Sequence, residues 1–133
     1  MKLIIYNESN CRSVKIGAAT IRIRRESGVI ALSKRSIEII GAKAGDRVYF
    51  LQDETRPKDW YIMKTQSIDG FKLREYNKSK GRKALLLNNS ATVHKIMESL
   101  AITEKTIAFH IASQATEHEG TNLYAILTSK PLK

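Results

Sequence analysis

The chain has 133 residues, 42% of them hydrophobic, which is enough to bury one core and too apolar for a disordered segment. Lys and Arg number 23 against 13 Asp and Glu, a net charge of +10 that favours polyanionic partners, nucleic acid before an anionic membrane surface. No apolar run reaches the ~18 residues of a membrane span, MKLIIYNESN lacks the features of a signal peptide, and the lone Cys11 allows no internal disulfide, so a cytoplasmic protein is expected.

Residues 1–20 carry two short apolar runs, Leu3 to Tyr6 and Val14 to Ile16, separated by a turn at Asn7, Ser9 and Asn10. Alternation then begins: Ile21 and Ile23 point one way and Arg22 and Arg24 the other, as on a strand with one buried and one basic face. Arg25 to Gly28 turn the chain into a second strand, Val29 to Leu32. Ser33 caps a short helix over Lys34 to Ile40, with Ile37 and Ile40 on the core side, and Gly41 ends it. Gly45-Asp46 makes a tight turn into Val48 and Phe50. A polar loop from Asp53 to Asp59 leads to a return strand, Trp60 to Lys64, and Ser67 to Gly70 form a short polar connector.

The order then repeats. Phe71 to Arg74 alternate as Ile21 to Arg24 do, a basic turn spans Tyr76 to Gly81, and Arg82 to Leu87 form a strand. Asn88, Asn89 or Ser90 caps a helix to about Leu100, with Val93, Ile96, Met97 and Leu100 on one stripe. Ile107, Phe109 and Ile111 alternate into a strand. Ala115 to Gly120 read as a polar loop, and Asn122 to Thr128 as the return strand. Across the halves Leu32-Ser33 matches Leu87-Asn88, Val48 and Phe50 match Ile107 and Phe109, and Trp60 to Met63 match Leu123 to Ile126. A unit this small cannot bury its own apolar face, so two units sharing one core are expected.

The stretch Gly28 to Phe50, with its turn glycine, strand, short helix, Ile40-Gly41-Ala42 step, Gly45-Asp46 turn and closing hairpin, resembles the AbrB-like (SpoVT/AbrB) swapped-hairpin transcription factors. The match covers residues 20–65 well and 71–128 weakly. The resemblance implies a mainly β fold with two short helices: an AbrB-like swapped-hairpin β-barrel formed as a single-chain pseudo-dimer. Residues 1–133 would make one pseudo-twofold domain, with N-terminal strands over 1–20, a first unit over 21–66 and a divergent second unit over 71–129. It also implies binding to double-stranded DNA. The chain departs from the family at Ser33, where proline is usual, and at Val29, Ile37 and Glu38, where DNA-binding members carry arginines. Arg82 after Gly81, and Arg24, are the positions onto which a binding role carries over.

The basic residues cluster. Arg12, Lys15, Arg22, Arg24 and Arg25 form an acid-free stretch, and Lys72, Arg74, Lys78, Lys80, Arg82 and Lys83 stand against Glu75 alone. Lys34 and Arg35 extend the first group. If a pseudo-twofold relates the halves, both clusters share one surface able to neutralise duplex phosphates. Arg24, Arg74 and Arg82 are then the candidates for reading bases in a groove. His94, His110 and His118 lack metal-ligand spacing, and no phosphate-binding glycine loop or nucleophile motif occurs, so neither an enzyme nor a cofactor is expected. The expected function is DNA binding by a transcriptional regulator or nucleoid-type accessory protein. The alternative is a protein-interaction or structural module, including an antitoxin-like one, with an incidental basic surface. The internal repeat is compatible with a monomer, and a homo-oligomer is open.

Overall fold

The computed structural model describes residues 2–3, 18–75 and 84–132. The alternation at Ile21 and Ile23 produces β1 (Thr20–Arg24), in which both isoleucines are fully buried and Arg22 and Arg24 are exposed. Gly28, with φ +67°, turns the chain into β2 (Val29–Leu32). Ser33 then caps α1 (Lys34–Ile40), its Oγ accepting from Ser36 N at 3.3 Å. The same hydroxyl accepts from Thr20 N at 3.0 Å, and the buried Ser36 Oγ donates to Thr20 O at 2.8 Å. The serine that stands where the resembled family has proline thus ties α1 to the start of β1.

The Gly45-Asp46 turn leads to the hairpin of β3 (Arg47–Gln52) and β4 (Trp60–Thr65). After the 67–70 connector come two short strands, β5 (Phe71–Lys72) and β6 (Arg74–Glu75). The second half continues with β7 (Leu85–Asn88) and α2 (Ser90–Ser99), which is capped by Asn89. It ends with β8 (Thr106–His110), β9 (Thr116–His118) and β10 (Thr121–Ile126). The residues expected as a loop at 115–120 instead form β9 and a tight turn. Glu119 and Gly120 both take positive φ, +51° and +79°, the geometry that closes a two-residue hairpin.

These strands form two five-stranded antiparallel sheets, β6-β7-β2-β1-β8 and β5-β3-β4-β10-β9. The pairing crosses between the halves repeatedly. β1 pairs with β8, β3 with β5, β2 with β7 and β4 with β10. The first two pairings correspond: Arg25 N donates to Lys105 O and Leu73 N to Asp46 O, both at 2.8 Å, just beyond equivalent strand ends. The ladder does not run unbroken around the molecule as one closed barrel. It divides at Leu73, where one extended segment changes partner from β3 to β7. Between β8 and β10 it narrows to the single bridge Ile111↔Ile126 and two hydrogen bonds, Leu127 N to His110 O and Ala112 N to Ala125 O. That bridge corresponds to the Gln52↔Trp60 pair, so Ile126, not Leu123, occupies the place of Trp60.

The core lies between the sheets. α1 packs against β1 and α2 against β2. Phe109, Ile62, Ile96 and Met97 are fully buried there. Trp60 is buried as well, and its Nε1–H donates to Ser99 Oγ at 2.8 Å, joining the second sheet to the end of α2. The two helix ends differ. α1 stops on Gly41 at φ +77°, whereas the chain leaves α2 through Ala101 at φ +55°. A Cβ in this region costs about 1 kcal/mol. Ala101→Gly is therefore expected to raise the unfolding free energy by about 0.5–1 kcal/mol in urea denaturation.

Candidate nucleic-acid interface

Residues directly opposite in an antiparallel ladder point to the same face, so register fixes what the first sheet shows to solvent. The pairings Arg74↔Leu86, Leu86↔Ala31, Ala31↔Arg22 and Arg22↔Ala108 run across all five strands. Arg22 and Arg74 therefore stand on one face, three strand spacings apart, ~14 Å. Arg24 lies on the same face beside Thr106. Between the arginines is a floor of small and apolar side chains, Ala31, Val29 and Leu86, lining a shallow groove with Arg22 and Arg24. Leu86 and Ala108 are buried yet stand apart from the core cluster, in keeping with their place on this outer face.

The face is electrostatically one-sided. Among the described residues of these five strands no carboxylate shares it, since Glu75 lies opposite Leu85 in the alternate phase. Arg74 is oriented by a hydrogen bond from Nη2 to Asn88 Oδ1, and Asn88 Nδ2 donates to Ser27 O at 3.2 Å. Among the described residues no hydrogen bond or ion pair holds Arg22 or Arg24. Lys105 enters at one edge, lining a small cleft with Arg24, Glu26 and Thr106, and lies 3.4 Å from the Glu26 carboxylate.

The remaining sequence candidates divide. Arg25 is half-buried, and its guanidinium donates to Ile102 O and, at 3.3 Å, to Glu104 O. It closes the turn after α2 and is not free for phosphate. Arg25→Ala is expected to lower stability by about 1–2 kcal/mol in thermal or urea unfolding, because charge-assisted bonds to two carbonyls of the turn after α2 are lost. Arg35 pairs with Glu38 at 3.2 Å and lines a shallow groove with His110 and Leu127; Lys34 is exposed at the start of α1. Lys72 is opposite Arg47 and belongs to the second sheet. Lys78, Lys80, Arg82 and Lys83, with Arg12 and Lys15, lie outside the described residues. The two basic stretches thus meet through Arg22, Arg24 and Arg74.

Two contributors were not expected from sequence. Asn88 was a candidate helix cap, but Asn89 caps α2, leaving Asn88 to orient Arg74. Lys105 reaches the face only because β8 pairs with β1, a register that no local pattern encodes. Among the described residues no group of His, Cys, Asp and Glu is arranged to hold a metal ion, and no helix is long and apolar enough to cross a membrane. Comparison with protein-family models, with characterised proteins and with solved structures finds no match to this chain.

Proposed function

We propose that the protein is a non-enzymatic DNA-binding protein, a transcriptional regulator or nucleoid-type accessory protein, that grips duplex DNA through the outer face of its first sheet. The observation that carries this reading is the convergence of Arg22, Arg24 and Arg74 on one face, where none of the described strand residues is acidic and the nearby Glu26, in the β1–β2 turn, pairs with Lys105. Guanidinium groups suit both phosphate and the acceptor edge of guanine. Their separation across the floor is close to the ~12 Å width of the major groove. The exchange of strands between halves, β1 to β8 and β5 to β3, supports the companion reading that one polypeptide carries both units of an interleaved, AbrB-like swapped-hairpin barrel.

Binding of a labelled duplex at ~50 and ~200 mM salt tests the proposal. Three phosphate contacts give a slope near −2.7 in log affinity against log salt, so affinity falls about 40-fold over that range. No duplex binding at ~50 mM salt would overturn it.

A further inference from the structure

Asn88 ends β7 in the outward phase of the arginine face. Leu85 and Leu87 turn into the core, so Leu86 and Asn88 turn out. The Asn88 side chain is exposed, and register sets it opposite Val29, which lines the shallow groove with Arg22 and Arg24. β7, β2 and β1 are successive neighbours, so Asn88 lies two strand spacings, about 10 Å, from β1. Its main chain is firmly placed. The next residue, Asn89, donates its N–H to Gly28 O at 2.8 Å and caps α2 through its side chain.

The Asn88 amide is held at both ends. Oδ1 accepts from Arg74 Nη2, and Nδ2 donates to Ser27 O at 3.2 Å. A guanidinium only donates and a carbonyl only accepts, so the amide has a single permitted orientation. An amide oxygen offers two acceptor positions and an amide nitrogen two hydrogens. One acceptor position and one donor hydrogen therefore remain on the exposed group, carried by adjacent atoms.

We infer that Asn88 is a specificity-determining residue that reads adenine in the major groove, an inference that rests on the DNA reading above. In that groove adenine presents an acceptor, N7, beside a donor, N6–H, which is the complement of what Asn88 has left. Guanine presents two acceptors there, cytosine a donor and thymine an acceptor, so each satisfies at most half of the amide. The ~14 Å between Arg22 and Arg74 suits the ~12 Å major groove and not the ~6 Å minor groove. A side chain already fixed by its neighbours loses little freedom on binding, which sharpens discrimination. The same bond positions Arg74, so the pair divides its work: the guanidinium holds phosphate and the amide reads the base.

Selection of duplexes from a random pool by the full chain at ~50 mM salt, followed by titration of the selected duplex, tests the inference. An adenine is expected at a fixed position, and its replacement by another base should cost roughly 5- to 150-fold in affinity. Replacing it by 7-deazaadenine, which lacks only the N7 acceptor, should cost about 2- to 12-fold. Asn88→Ala, checked for folding by circular dichroism, should bind adenine and 7-deazaadenine duplexes equally, with the parent's salt slope. Asn88→Asp keeps an acceptor toward Arg74 but has no donor, so its preference at that position should move from adenine to cytosine, a change that a purely structural role for Asn88 does not produce. No retention of any duplex would overturn the DNA reading and this inference together. Duplex binding without an adenine requirement, indifference of the parent to 7-deazaadenine, or folded Asn88 variants that keep the parent's adenine preference would overturn this inference alone.

Discussion

Alanine at Gly28 is expected to lower the unfolding free energy by about 2–5 kcal/mol, making it the most damaging alanine substitution among the described glycines. Two independent costs meet there. The residue has φ +67°, where a Cβ costs about 1–2 kcal/mol through its clash with the following carbonyl. The new methyl would also lie 2.9 Å from Ser90 N and 3.0 Å from Ser90 Cα, backbone atoms at the start of α2 that cannot rotate away. Overpacking of this kind costs a further 1–3 kcal/mol. The contact joins the halves, because Gly28 O accepts from Asn89 N at 2.8 Å and a shift of α2 would strain that bond. Equilibrium urea denaturation checks the value. Adding Ser90→Gly should recover little, since the closest immovable atoms belong to the main chain. A loss below ~0.5 kcal/mol would show that α2 yields freely at this point.

The combined Arg22→Ala, Arg24→Ala and Arg74→Ala variant should lose two to three decades of duplex affinity at ~0.1 M salt, because each phosphate contact contributes about 0.9 decade there. The salt slope should flatten by about 2.7 in the same variant. These side chains are exposed on the strand surface, so the fold should tolerate their removal within about 0.5 kcal/mol per site. Arg56 serves as the control. It lies in the β3–β4 loop, largely exposed and 4.0 Å from Asp59, and its replacement should leave duplex binding unchanged. Arg22→Lys separates the two uses of the face: retained charge preserves the salt slope, whereas a bidentate base contact would be lost with about 1–3 kcal/mol of discrimination. Equal loss from Arg56→Ala and from the triple variant would mean that binding follows net charge alone.

Local chemistry made much of the fold legible in the chain. Ser33, Gly41 and the Ile37/Ile40 spacing bound α1 correctly, because capping and helical periodicity act within a few residues. β1 and β2 followed from alternation and a turn glycine in the same way. The Val93, Ile96 and Met97 stripe located α2. What escaped is set by partners far along the chain. Phe71 to Arg74 read as one strand, but Leu73 is where the segment passes from β3 to β7, and only those two edges dictate the break. Trp60 was aligned with Leu123 by hydrophobic phase, whereas the ladder equates it with Ile126, since a hairpin shifts register without disturbing alternation.

The candidate site was legible to the same depth. The outward phase of Arg22 and Arg24 follows from Ile21 and Ile23. Arg74 joining them depends on β7 lying beside β2, and Arg25 turning away depends on carbonyls released 77 and 79 residues later in the chain. Charge counted along a sequence does not distinguish an arginine awaiting a ligand from one already satisfied by main-chain oxygens.

The exchange of β1 and β5 between the halves carries a thermodynamic consequence for the chain as a whole. Ile21 pairs with Phe109 and Val48 with Phe71, so neither half retains the edge partner of its own third strand. In two separate chains that exchange would be a bimolecular reaction, and the fold would dissolve on dilution. The 67–70 connector makes it unimolecular, fixing an effective concentration near the millimolar range whatever the amount of protein present. The short turn at Ser67 to Gly70 thus sets the molecularity of folding, and with it the ability of the arginine face to persist when the protein is scarce.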